Sequence, residues 1–260
     1  MRRPPLPPAA HRPTVTALGL GLAAAAALAS CGGGSSAGST TYQPSLGSGG
    51  WLVIDLRAGT ATAVISDPGI GSVTALVLKR LDGVSFLGVT EVSKGQWSTL
   101  MGSAPWAELT AASLADGASV DPARPANNIS FDQAQAFAAA LAARTGLAMG
   151  LPSVGQYQEA VGAGPFPWGA ASDAATVSAY ASVTDTSASV GHLRAVGAAT
   201  ASNGFYDLIG NVREWTAAGA AFGGSSFDSL ASIRATPLVA TVDPAVSHPL
   251  YGLRIACALP

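Results

Sequence analysis

Few residues in this chain could do chemistry. Of its 260 residues only 11% are charged, three are His and two are Cys. The densest polar run spans residues 203–215. There Asn203-Gly204 opens a turn, and Asp207, Asn211, Arg213 and Glu214 follow between aromatic and apolar residues. Two carboxylates in a Gly-containing turn suit a hard cation, which takes oxygen ligands. The same groups could instead cap the loop's own amides, or pair with Arg194, Arg213 or Arg234. The remaining candidates are thinner. His192 and His248 are far apart in loop-like contexts and read as solvated residues. Ser225 has no identifiable base beside it, and a hydroxyl without one is a poor nucleophile.

The N-terminus carries a different signal. Arg2, Arg3 and Arg12 precede an apolar stretch, Thr16 to Ala29, of the length of a signal-peptide core and short for a membrane span. It ends in Leu28-Ala29-Ser30-Cys31-Gly32, which looks like the lipobox of bacterial lipoproteins. The expectation is a signal peptide over 1–30 and a lipid on Cys31. Gly32 after it resembles sorting to the outer membrane of a Gram-negative cell envelope. Several acyl chains would hold such a protein firmly, at about 0.8 kcal/mol per buried CH₂. With the three arginines of 1–30 removed and no acid lost, ten Lys and Arg face fifteen Asp and Glu, a net charge of −5. That balance argues against nucleic acid as a partner. With Cys31 acylated, Cys257 is the only thiol and no internal disulfide can form.

Residues 31–50 are the lipidated Cys and a Gly/Ser tether, a flexible coil reaching roughly 25 Å. Residues 51–260 have the length of one domain. Trp51–Leu56, Val73–Leu81 and Val84–Val89 read as strands. Ser93 with Gln96, Ser130 with Gln133 and Ser153 with Gln156 are capping boxes, each starting a helix. The longest helix follows Ser130. It puts Phe131, Ala134, Phe137, Ala138, Leu141 and Ala142 on one face, and Gly146 is placed to end it. Beyond residue 160, Gly, Pro, Ser and Asn interrupt every few residues, and no helix longer than two turns is expected. The class is α+β, irregular and loop-rich.

Several ordered motifs resemble the formylglycine-generating enzyme, or sulfatase-modifying factor, family. Phe86-Leu87-Gly88-Val89-Thr90-Glu91-Val92-Ser93 with Gln96-Trp97 is similar to its F-x-G-x-x-EVT…QW. Ile129 to Phe137 is similar to VSWxxAxxF, Leu151-Pro152-Ser153 to the start of LPTEAEWEYA, and Phe166-Pro167-Trp168-Gly169 to (Y/F)PWG. Gly204 to Trp215 is similar to G-L-Y-D-M-x-GNVWEW. Gly223-Gly224-Ser225 and Tyr251-Gly252-Leu253-Arg254 are similar to the closing GGS and GFR. The resemblance implies an irregular α+β fold related to the C-type lectin fold.

It also implies a chemistry to check. Enzymes of this family oxidise a substrate Cys with O₂ and copper, using a Cys pair just beyond GGS. Thiolates suit Cu(I), a soft ion. Here Asp228 and about Ile233 stand at those places, and Arg213 stands where the active enzymes keep the Trp of GNVWEW. Ser225 matches a family active-site Ser. Arg213, Ser225 and Asp228 are therefore degenerate active-site positions, and no catalytic residue is assigned. Copper is not expected. The His-rich iron site of a sulfoxide-synthesising branch is not expected either, and Cys257 reads as a small buried hydrophobe. A structural calcium is implied by the resemblance at Asp207, the carbonyls of Gly210 and Val212, and Glu214. The leading functional reading is a surface-anchored lipoprotein without oxidase activity, serving a binding or structural role toward a protein or glycan ligand. The second is a divergent oxidoreductase of the superfamily acting on thiols, and the third a lectin-like recognition module.

Overall fold

The computed structural model describes residues 50–109, 119–170, 173–184, 193–235, 239–241 and 243–258. All lie within Thr41–Pro260, the second of two compact units into which the chain separates. The signal peptide, Cys31, most of the tether and His192 lie outside the described residues.

Two sheets organise these residues. Strands β1 (Trp51–Asp55), β2 (Thr60–Val64), β3 (Ala75–Arg80), β4 (Ser85–Gly88), β5 (Ala148–Gly150) and β10 (Ala256–Ala258) form the first, in the order β2-β1-β3-β4-β10-β5, all antiparallel. Strands β6 (Arg213–Trp215), β7 (Ala220–Phe222), β8 (Val239–Thr241) and β9 (Tyr251–Gly252) form the second, in the order β8-β7-β6-β9. There β6 and β9 run parallel, with Arg213 opposite Tyr251 and Glu214 opposite Gly252. The last strand of the chain inserts between β4 and β5, so the first sheet closes only when the C-terminus arrives. The three strands expected from the sequence are β1, β3 and β4. β2 is additional: its alternating Thr and Ala are too weakly apolar to announce a strand, and pairing with β1 makes it one.

The helices follow their caps. In α1 (Lys94–Met101), α2 (Phe131–Thr145) and α3 (Val154–Val161), Ser93, Ser130 and Ser153 each accept the N3 amide. Gln96, Gln133 and Gln156 each return to the cap amide. Gln96 does more: its Nε2 donates to the carbonyls of Ser72 and Ala75, fastening α1 to the entry of β3. Gly146 ends α2 with φ +70°. α4 (Ala174–Tyr180) and α5 (Leu230–Ala235) are short, as the punctuated sequence predicts.

The apolar core has two parts. The first packs Leu52, Ile54, Leu78 and Phe86 of the large sheet against Trp97 of α1 and Phe137 and Leu141 of α2, with Trp97 and Phe137 stacked at 5.3 Å. The second gathers Tyr157 of α3, Val177 of α4, Phe205, Ile209 and Phe222, with Tyr157 stacked on Phe222 at 4.6 Å. Residues 203–215 leave the second core through Phe205 and Ile209 and enter the first through Trp215.

Candidate functional site

The polar run at 203–215 wraps a buried charge cluster. Five of its residues have left-handed backbones: Asn203 and Gly204 at the opening turn, at φ 52° and 81°, then Asp207 at 51°, Gly210 at 82° and Asn211 at 59°. Gly210 is required there, since any side-chain carbon would drive into the Ser182 carbonyl. Asp and Asn tolerate this region better than other side chains do. The kinked path points Asp207, Asn211 and Glu214 inward, and all three are buried.

At the centre is Arg254, entirely buried. Its Nε donates to Glu214 Oε2 at 2.9 Å and its Nη2 to Glu214 Oε1 at 2.8 Å, a two-pronged pair. Its remaining donors reach the carbonyls of Gly88 at 2.9 Å and Tyr206 at 2.8 Å. The Tyr157 hydroxyl donates to Glu214 Oε2 at 2.7 Å. Glu91, from the turn after β4, accepts Asn211 Nδ2 at 2.9 Å and the Val212 amide at 3.3 Å. Asn211 also accepts the Arg194 amide at 2.9 Å. Asp207 Oδ2 accepts the Gly197 amide at 2.8 Å, while its Oδ1 is buried without a partner.

The energetics of this cluster are those of buried charge. Burial, reinforced by Asp207 and Glu214, pushes Glu91 well above the usual carboxylate range. Burial raises Asp207 to about 6, against the pull of the Gly197 amide and Arg194. Burial works against the Arg254 charge, but Glu214 outweighs it and the guanidinium ends above its ordinary value. Arg254 thus pairs with Glu214 and eases Glu91, while Asp207 is served by Arg194 as well as Arg254. Glu91 and Arg254 received no role from the sequence beyond their motifs. The available signal was a lone charge inside an apolar run, Val89-Thr90-Glu91-Val92 and Leu253-Arg254-Ile255, which must find a partner when buried.

A calcium ion can be tested against these atoms. Asp207 Oδ1, a buried acceptor with nothing to accept, is what such an ion would take. Glu214 fits it less well, since its two oxygens already take two bonds from Arg254 and one from Tyr157. Among the described residues, no group of three or more His, Cys, Asp and Glu side chains is arranged to hold a metal.

The other three singled-out residues meet on the outer side of the second sheet. Arg213 Nη2 contacts both oxygens of Asp228, at 2.8 and 2.9 Å. Ser225 gives Asp228 its amide at 2.7 Å and its hydroxyl at 2.8 Å. The Ser225 hydroxyl faces a carboxylate already held by a guanidinium, and among the described residues no imidazole bonds to it. Arg213 and Asp228 keep 26% and 17% of their side-chain surface exposed. Beside them, the half-buried Tyr251 meets the exposed His248 in a tilted ring contact at 4.7 Å. Partial burial, then Arg213, lowers the His248 pKa, and its Nδ1 accepts the Leu250 amide. Ile233 is buried against the Gly223-Gly224 turn. Cys257 is buried in β10, opposite Phe86 and Met149, and burial pushes its thiol up to about 11.

Residues 81–258 match the family model of the sulfatase-modifying factor enzyme 1-like domain. The chain belongs to the formylglycine-generating enzyme family. No curated protein matches it significantly. Among solved structures, Treponema denticola variable protein 1 matches with a TM-score of 0.56 and 18% identity, over 73% of this chain and 97% of that one. PvdO from Pseudomonas aeruginosa matches with 0.54 and 17%, over 81% and 92%. CarF matches with 0.51 and 20%, over 68% and 87%. At these identities the likeness is one of fold.

Proposed function

We propose that this protein is a surface-anchored lipoprotein whose formylglycine-generating-enzyme-like domain has given up oxidase chemistry and serves a binding or structural role. The observation that carries the proposal is the Arg213–Asp228–Ser225 cluster. Where the family's oxidases are expected to hold copper between thiolates, this chain carries a carboxylate neutralised by a guanidinium and two Ser225 donors. A hard, already neutralised oxygen ligand does not suit Cu(I).

The same cluster supports the binding role. A partly exposed Arg and Asp beside the tilted Tyr251–His248 pair join directional hydrogen-bonding groups to an aromatic face. Such a rim can take a sugar ring or a peptide edge. A structural calcium at Asp207, the carbonyls of Gly210 and Val212, and Glu214 is supported by the unpartnered Asp207 Oδ1, and would require Glu214 to share oxygens now bonded to Arg254 and Tyr157.

The oxidase reading is tested by incubating the purified protein with a Cys-containing sulfatase-type peptide, copper and O₂. No formylglycine is expected, and any enzymatic product would overturn the proposal. A glycan array probed with the protein and with Arg213→Ala tests the rim. Binding that Arg213→Ala leaves unchanged would remove the rim from the proposal. For the anchor, Cys31→Ser is expected to release the protein from membranes, and unchanged membrane association would refute it.

A further inference from the structure

β2 is an edge strand, with β1 on one side and, among the described residues, no strand on the other. Natural edges are guarded by charged side chains, proline or bulges, because unpaired N–H and C=O groups recruit another strand. β2 has none of these guards. Its sequence is Thr60-Ala61-Thr62-Ala63-Val64, and Ile65 follows with 83% of its surface exposed. Ala61 and Ala63 lean on the first core, leaving Thr60 and Thr62 exposed. The strand is held rigidly. Arg144 at the end of α2 donates to the Leu56 carbonyl at 2.7 Å, and Gly59 lies tight against the Arg144 backbone, so the β1–β2 turn is fixed. It is built for pairing and lies outside the segment matched to the family.

We infer that β2 pairs with β2 of a second copy of this chain, antiparallel about a two-fold axis through Thr62. The sequence is self-complementary in that register. Thr62 faces Thr62, Ala61 faces Ala63 and Thr60 faces Val64, with no like charges opposed. Cross-strand Thr pairs are favourable. Continuing outward, the exposed Ile65 of one copy covers Gly59 of the other, which has no side chain. Arg57 at the turn of one copy comes beside Asp67 of the other, twice by symmetry. Arg57 and Asp67 are both exposed. Asp55 caps the amides of Arg57 and Ala58 with Oδ1, and Asp67 Oδ1 takes the Gly69 amide, so it is the other carboxylate oxygen of Asp67 that would meet Arg57 of the second copy. The product is a sheet running through both copies, with isologous contacts as two-fold dimers require. The interface is small, so the dimer is weak and concentration-dependent.

The test is sedimentation velocity on the full-length chain from micromolar to near-millimolar concentration, with circular dichroism to check folding. A monomer–dimer equilibrium is expected. Thr62→Lys, at an exposed site, should leave the fold intact and weaken the dimer by roughly fivefold or more. Arg57→Asp and Asp67→Arg should each weaken it, and the double swap should restore it. In a Cys31→Ser background, Thr62→Cys should oxidise to a disulfide dimer, because directly opposed Cα atoms lie about 5 Å apart. Thr60→Cys should not, since its symmetry mate would be roughly 13 Å away. A monomer at every concentration, a dimer indifferent to Thr62→Lys, equal crosslinking from both cysteines, or a double swap no better than its parents would each overturn the inference.

Discussion

Replacing Arg254 by Ala removes the guanidinium that pairs with Glu214 at the centre of the buried carboxylates. Four hydrogen bonds are lost: two to Glu214, one to Gly88 and one to Tyr206. The carboxylate left behind is fully enclosed, with Glu91 and Asp207 close enough to repel it. Breaking a buried pair by deleting one partner costs about 3–5 kcal/mol, since the survivor stays desolvated and uncompensated. A value near 4 kcal/mol corresponds to a fall in Tm of roughly 8–16 °C for a domain of this size. Differential scanning calorimetry at pH 7 measures it. Arg254→Lys should recover only part, because an ammonium cannot reach both Glu214 oxygens and two carbonyls at once. Adding Glu214→Gln to Arg254→Met should restore stability relative to Arg254→Met alone by about 1 kcal/mol or more, because the survivor no longer carries charge. If Arg254→Ala costs less than about 1 kcal/mol, another cation neutralises the cluster and the reasoning fails. Repeating the scan with a chelator would then show whether that cation is calcium.

Further outcomes follow from the same geometry. Asp207 has its pKa raised from 3.8 to about 6, so between those values the native state holds a proton that the unfolded chain has released. Stability should therefore fall as pH rises from about 4 to 6. With calcium removed by chelator, Asp207→Asn should flatten that fall and gain of order 2 kcal/mol at pH 7, measured by urea denaturation across pH. Glu91 is shifted the same way, so part of the slope should remain. A slope unchanged in Asp207→Asn would show that Asp207 does not titrate there. Asp228→Ala leaves Arg213 and the Ser225 amide and hydroxyl without their acceptor, and should cost about 1–3 kcal/mol by chemical denaturation. Cys257 should resist a thiol reagent in the native state and react fully in denaturant, and rapid native labelling would contradict its burial.

Local elements and the family were legible in the sequence. The three Ser/Gln capping boxes and the Gly146 stop are chemistry between residues three or four apart; each of the three helices starts where its box places it, and α2 ends at Gly146. Of the predicted α2 face, Ala134, Phe137, Ala138 and Leu141 are buried, because a helix period maps directly onto one side of a cylinder. Phe131 and Ala142 are only half-buried at its margins. Cys257 is buried, as a small apolar residue in a β-rich ending should be.

The pairings were decided only by the tertiary structure. Asp207 and Glu214 could be read as polar groups needing partners. Among Arg194, Arg213 and Arg234, however, the sequence offered no reason to choose the distant Arg254, which reaches Glu214 only because β9 runs parallel to β6. Glu91 joins the same cluster from 120 residues away. Arg213 and Asp228 could be singled out one at a time as departures from the family pattern, yet not as partners. β2 was invisible because a strand of Thr and Ala exists only through the neighbour it pairs with. The sequence by itself determined where chains cap, turn and turn apolar, since those signals act over one helical turn or one pleat. Which buried charge meets which, and which edge is left open, depends on contacts between residues far apart in sequence, and only the folded chain sets those.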